Sequence, residues 1–149
     1  MIEAGPPTPP ASHFPEPFNI KHMGDRKLFE IEIDRSFAAA HQLKGYDGDC
    51  RNLHGHNYGV TVTVVADQLN EIGIALDFKL LKAALDEVIN KYDHRNLSEL
   101  PDFQEINPTS EVLARTIYRQ MADKLNSPGI KVARVSIAES SASRIIYSE

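Results

Sequence analysis

The sequence predicts an α+β domain in which an antiparallel four-stranded sheet carries two helices on one face, with the elements in the order ββααββ. Three observations predict it. Two early stretches alternate apolar and polar residues, the middle of the chain repeats apolar residues every three or four positions, and two short alternating runs close the sequence. At 149 residues the chain is long enough to bury one core without staples.

The first 26 residues stand outside this pattern. They hold six of the nine prolines (Pro6, Pro7, Pro9, Pro10, Pro15 and Pro17) and little apolar periodicity, so 1–26 reads as a mobile tail and 27–149 as a single folded domain. His13 and His22 fall in that tail and read as solvated residues rather than metal ligands. In "FEIEIDRSFAAAH", Phe29, Ile31 and Ile33 share one parity and Glu30, Glu32 and Asp34 the other, the mark of a half-buried strand. "HGHNYGVTVTVVA" alternates in the same way through Tyr58, Val60, Val62 and Val64, and "DQLNEIG" then supplies turn residues. From Phe78 the period changes: Phe78, Leu81, Leu85, Val88, Ile89 and Tyr92 mark an amphipathic helix. Val112, Leu113, Ile117, Met121 and Leu125 mark a second, opened by the capping residues of "NPTSE" and closed by "NSPG". "IKVARVSIAE" and "SRIIYS" read as the final strands.

Composition excludes several classes. A formal net charge of -5 argues against a general nucleic-acid binder, which needs clustered Lys and Arg. No apolar run approaches the roughly 20 residues needed to span a bilayer. The N-terminus lacks the charged start and apolar stretch of a secretory signal. The single cysteine cannot form an intrachain disulfide, so nothing requires an oxidising compartment. A cytoplasmic protein without nucleic-acid or membrane partners is expected.

The chemistry concentrates in "CRNLHGHNYGV", residues 50 to 60. Residues two apart on a strand face the same way, so His54 and His56 project side by side. His41 ends the first strand on the parity of Phe29, Ile31 and Ile33, unless a bulge intervenes, and is the natural third ligand. Three neutral imidazoles at about 2.0–2.1 Å from Zn²⁺ leave a fourth position open for water or substrate. Two alternatives stay open: hydrogen-bonded structural histidines, and a closed site in which Cys50 is the fourth ligand. Cys50 itself, in the loop "GYDGDC", reads either as a reachable nucleophile or base or as a small buried hydrophobe. In "KYDHRNL", Asp93 can fix the tautomer of His94, although on local grounds a helix C-terminus complemented by His94 and Arg95 is the simpler reading. Glu139 follows Val135 and Ile137 on the inward parity, which marks a buried or pocket-lining carboxylate. Glu111 suits a helix start and could also hydrogen-bond a flat polar ligand.

Taken together, "FAAAHQL", "CRNLHGHNY", "ALDFKLLK", "YDHRNL", "NPTSEVLA" and "AES" resemble, in order and over roughly residues 29 to 147, the 6-pyruvoyl- and 6-carboxy-tetrahydropterin synthase family. The resemblance implies the tunnelling fold, whose ββααββ subunits pack into barrels with active sites between neighbours, and a homohexamer of two trimers. It implies His41, His54 and His56 as zinc ligands and Cys50 as catalytic base, with Asp93 and His94 as relay partners from an adjacent subunit. It further implies Glu139 as an acid of the active-site relay and Glu111 as the carboxylate that holds the pterin's amino and ring N–H groups. Three residues between Cys50 and "HGH" match the short form of the bacterial 6-carboxy enzymes of the queuosine pathway, whose substrate is 7,8-dihydroneopterin triphosphate. The alternatives are a 6-pyruvoyl enzyme and a zinc-stabilised oligomeric binding module. Lys44 and Arg51 are candidates for contacting the triphosphate.

Overall fold

The computed structural model describes residues 28–149; the proline-rich stretch, with His13 and His22, lies outside the described residues. Strand β1 spans Phe29–His41 and β2 His54–Ala66; helix α1 spans Phe78–Ile89 and is followed by a short β3, Arg95–Asn96. Helix α2 covers Ser110–Leu125, and β4 (Ile130–Ser140) and β5 (Ser143–Tyr147) complete the sheet. The strand order is β3-β1-β2-β4-β5, antiparallel throughout except for β3, which runs parallel to β1.

The sheet thus has five strands where four were expected. β3 is two residues long, too short for any alternation to show in the sequence. It exists because the backbone beside it is tied to β1: the His94 N–H donates to the Ala38 carbonyl at 2.6 Å, and Asp93 Oδ1 accepts from the Ala38 N–H at 2.9 Å.

The β1–β2 ladder runs without a break from Phe29 opposite Ala66 to His41 opposite His54. An unbroken ladder keeps one parity facing inward from end to end. Ile31, Ile33 and Phe37 meet Val60, Val62 and Val64 on that face, beneath Leu81, Leu85, Leu113 and Ile117 of the helices. Burial of each such side chain contributes about 1.5–3 kcal/mol. In β4 the pairing with β2 shifts between Thr63 and Val64, from Arg134 to Val132. That bulge turns Val132, Val135 and Ile137 alike to the core, and Glu139 follows on the same parity.

The helix ends follow local chemistry. The Asp77 side chain caps α1 by accepting from the Lys79 N–H, and Thr109 caps α2 by accepting from the Val112 N–H. Two residues predicted on the inner face of α1 differ. Phe78, in its first turn, is 55% exposed, and Tyr92 lies beyond the helix end, fully buried in the following turn.

Candidate active site

Three imidazoles close the inner face of the sheet. Because His41 pairs with His54, and Ala39 with His56, all three rings stand where β1 and β2 end together. One ring nitrogen from each of His41, His54 and His56 lies within 4.8 Å of the others. His41 is buried at 2% exposure, while His54 and His56 are half-buried.

Hydrogen bonding decides what this cluster can hold. His41 Nδ1 lies 2.8 Å from the Pro108 carbonyl, and His54 Nδ1 lies 2.7 Å from the Asn52 carbonyl. A carbonyl can only accept, so both Nδ1 atoms carry the proton and both neutral rings present a lone pair at Nε2. Those two Nε2 atoms are 3.1 Å apart, acceptor to acceptor. A cation between the two neutral rings would satisfy both lone pairs. Ligands about 2.0–2.1 Å from a tetrahedral ion stand about 3.4 Å apart, close to the observed spacing. A backbone carbonyl behind each ligating imidazole is also the usual support of a metal-bound histidine. His56 Nε2 is shielded from solvent and has no hydrogen-bond partner among the described residues. Burial holds the His56 pKa below the ordinary histidine value, with His41 and His54 adding to the effect and Glu139 opposing it. The neutral, ligating form is favoured. The donor set therefore fits a borderline divalent ion such as Zn²⁺.

A cleft of about 370 Å³ opens beside His41, lined by Cys50, Thr109, Glu111, Glu139 and Arg144 among others. Cys50 sits in the 3-10 turn Asp49–Arg51, half-buried at the cleft wall and not in the core. Its sulfur is not among the clustered ligand atoms, which leaves the three-histidine set open at a fourth position. Glu139 is fixed by Ser110, whose hydroxyl donates to its Oε1 at 2.5 Å. Since Thr109 caps α2, Glu111 is not needed for that task; its carboxylate makes no hydrogen bond or ion pair with a described residue. Lys44 turns away, its backbone bonded to the Asn107 side chain, and lines a separate hollow with Ser98 and Pro108. Arg51 is exposed and is not among the residues lining the cleft.

Asp93 and His94 do pair, contrary to the simpler local reading, with His94 Nδ1 2.9 Å from Asp93 Oδ2. His94 is not a helix C-terminus: α1 ends at Ile89 and His94 adopts φ 55, a left-handed conformation uncommon for a residue with a Cβ. The strain is held by the two bonds to Ala38 and by Tyr92, whose hydroxyl donates to Asp102 at 2.9 Å and accepts from Gln120 at 2.6 Å. The Ala38 N–H, then His94, hold the Asp93 carboxyl below the usual carboxylate range, so it is ionised at neutral pH. Within one chain this pair lies on the β3 side of β1, outside the cleft that holds Cys50.

Sequence reasoning missed the Pro108 carbonyl, Ser110 and Arg144. A backbone acceptor leaves no trace in residue identity. Ser110 had a weak signal in "PTSE", where a second hydroxyl follows the cap. Arg144 was read as part of a strand and nothing more.

Fold and side chains define a protein in which three histidines could hold a metal ion, one of them lining a cleft that carries a thiol and two carboxylates. The chain belongs to the 6-pyruvoyl tetrahydropterin synthase family, whose model matches residues 30–149. It is 38% identical over 122 residues to the 6-carboxy-5,6,7,8-tetrahydropterin synthase of Synechocystis, covering 78% of this chain and 92% of that one. It is 37% identical over 105 residues to the dihydroneopterin monophosphate aldolase of Pyrococcus furiosus, covering 70% and 83%. Among solved structures, the Caenorhabditis elegans 6-pyruvoyl tetrahydropterin synthase superposes with a TM-score of 0.74 at 26% identity, over 83% of this chain and 97% of that one. The tunnelling fold expected from the sequence is therefore the fold observed.

Proposed function

We propose that this protein is a zinc-dependent 6-carboxy-5,6,7,8-tetrahydropterin synthase. As a carbon–carbon lyase it converts 7,8-dihydroneopterin triphosphate and water to 6-carboxy-5,6,7,8-tetrahydropterin, acetaldehyde and triphosphate, in the cytoplasmic route to queuosine and other 7-deazapurines. The observation that carries the reading is a three-imidazole cluster whose buried member, His41, lines a cleft with a thiol and two carboxylates. The relatives in Synechocystis and Bacillus subtilis that bear this enzyme's name, at 38% and 33% identity, support the same choice.

His41, His54 and His56 would hold the zinc, which when bound would supply Lewis acidity to the pterin side chain. Glu111 accepts from the amino and ring N–H groups and so orients the bicycle in the cleft. Cys50, as thiolate, takes a carbon-bound proton from the side chain. His94, held in one tautomer by Asp93, accepts or returns a proton at a side-chain hydroxyl. Glu139, steadied by Ser110, serves as the remaining acid. The dihydropterin ring takes up the electrons of the internal redox change, so no nicotinamide is required. Because the pair at Asp93 and His94 lies outside its own chain's cleft, it serves a neighbouring subunit, in keeping with a homohexamer of two trimers.

The deciding experiment is mass analysis of the products formed by zinc-loaded protein from dihydroneopterin triphosphate. Acetaldehyde with a 6-carboxy pterin is the expected result. Triphosphate release with all side-chain carbons kept on the pterin would identify a 6-pyruvoyl synthase instead. The Pyrococcus relative's name makes a second reading concrete: cleavage of the monophosphate to a 6-hydroxymethyl pterin and a phosphorylated two-carbon aldehyde. No conversion at all, with a saturated metal, would leave a binding module.

Asp93→Asn offers a finer test. The asparagine oxygen can still accept from the Ala38 N–H, but its amide then donates to His94 Nδ1 and forces the opposite tautomer. Turnover should fall by about 10²–10⁴-fold, with little change in KM, while ¹⁵N spectra show the His94 proton moved to Nε2. Wild-type kinetics would remove the pair from the mechanism.

A further inference from the structure

Glu111 accounts for the pterin ring of the proposed substrate, whose phosphate end still needs a partner. The cleft that holds Cys50 is a poor place for it. Two carboxylates, Glu111 and Glu139, line that cleft, and a phosphate ester entering beside them meets like charge. Arg144 lines it too, but in the company of those two carboxylates.

A second concavity has the complementary chemistry. A groove of about 520 Å³ follows the β3 edge of the sheet, with His94, Arg95 and Asn96 on one side and Asn57, the Gly55 backbone and His56 of the imidazole cluster on the other. No acidic residue lines it. Arg95 is exposed and, like Arg51, Arg115 and Arg144, makes no ion pair or side-chain hydrogen bond with a described residue, whereas Arg35, Arg119 and Arg134 are each engaged by carboxylates. Nor is Arg95 placed casually. It directly follows the strained His94, and its backbone is fixed both by pairing with Ala39 and by a bond from its N–H to the Tyr92 carbonyl. Strain of this kind survives where surrounding bonds impose it, commonly at ligand clamps.

We propose that Arg95 is the phosphate-binding residue of the substrate site. Its planar guanidinium, with two N–H groups side by side, matches two oxygens of a phosphoryl group. The inference rests on the reading that Asp93 and His94 act on a pterin held in a neighbouring subunit's cleft. A ligand whose side chain reaches His94 extends its terminal phosphates along this groove, one residue further on. Arg95 thereby discriminates phosphorylated from unphosphorylated pterins.

Binding of oxidised, fluorescent pterins that cannot turn over tests this on full-length, zinc-loaded protein. Neopterin and neopterin triphosphate are titrated against wild type and against Arg95→Gln, Arg144→Gln, Arg51→Gln and Lys44→Gln. Arg95→Gln should weaken triphosphate binding by roughly 10–100-fold, as expected for loss of a charge-assisted pair, and leave neopterin binding unchanged. Arg95→Lys should recover part of the loss, because a point charge replaces the fork. Undiminished preference for the triphosphate in Arg95→Gln, or the loss appearing in one of the other three variants, overturns the assignment. So does equal weakening of both ligands, which marks a structural role. If wild type binds neither pterin, it is the pterin reading of the cleft that fails first.

Discussion

His41→Ala should empty the metal centre. Metal analysis of the purified variant should give an occupancy near zero, and turnover should fall by about 10³-fold or more, the equivalent of several kcal/mol of Lewis-acid stabilisation. His41 is the informative ligand because it is the buried one, and its Nδ1 is committed to the Pro108 carbonyl. Removing the ring leaves that carbonyl without its donor, at a cost of about 1–3 kcal/mol. The variant should therefore melt lower than wild type even in the presence of chelator, and added zinc should not restore it. Wild-type protein, in contrast, should lose stability on chelation, because an ion that binds the folded state alone stabilises it by mass action. Full metal occupancy in His41→Ala would refute the ligand assignment.

Cys50→Ala should do the opposite at the metal and the same to turnover. The sulfur stands in a half-buried turn at the cleft wall, outside the set of clustered ligand atoms. Its removal should leave zinc content and melting temperature near those of wild type, since the turn around it is held by backbone bonds such as Leu43 N–H to the Cys50 carbonyl at 2.9 Å. Turnover should drop by about 10²–10⁴-fold, the usual contribution of a positioned acid or base. Loss of zinc together with loss of activity would mean that Cys50 is a fourth ligand after all. Together the two variants separate the centre that holds the ion from the group that moves the proton.

Much of this architecture was legible because it depends on parity. Thirteen alternating residues define β1, and the alternation survives to His41 because no bulge interrupts its pairing with β2. Glu139, on the parity of Ile137, lines the cleft with it although a bulge interrupts the pairing with β5 there. What was illegible depends on long-range closure. β3 owes its existence to Asp93 and His94 reaching Ala38, fifty-odd residues earlier, and two residues carry no period of their own. Tyr92 continued the helical spacing of α1 yet lies beyond its end, because the buried hydroxyl found Asp102 and Gln120. His94 was read locally as the end of a helix, and only its left-handed backbone brings it round to Asp93.

The start of α2 engages the site four times in four residues: Pro108 supports His41, Thr109 caps the helix, Ser110 steadies Glu139, and Glu111 faces the cleft. An ion held by His41 and an organic ligand held by Glu111 would consequently share one bracket. Thermodynamic reciprocity would then link their affinities: by whatever factor an occupied cleft tightens binding of the ion, the ion tightens binding of the cleft's occupant.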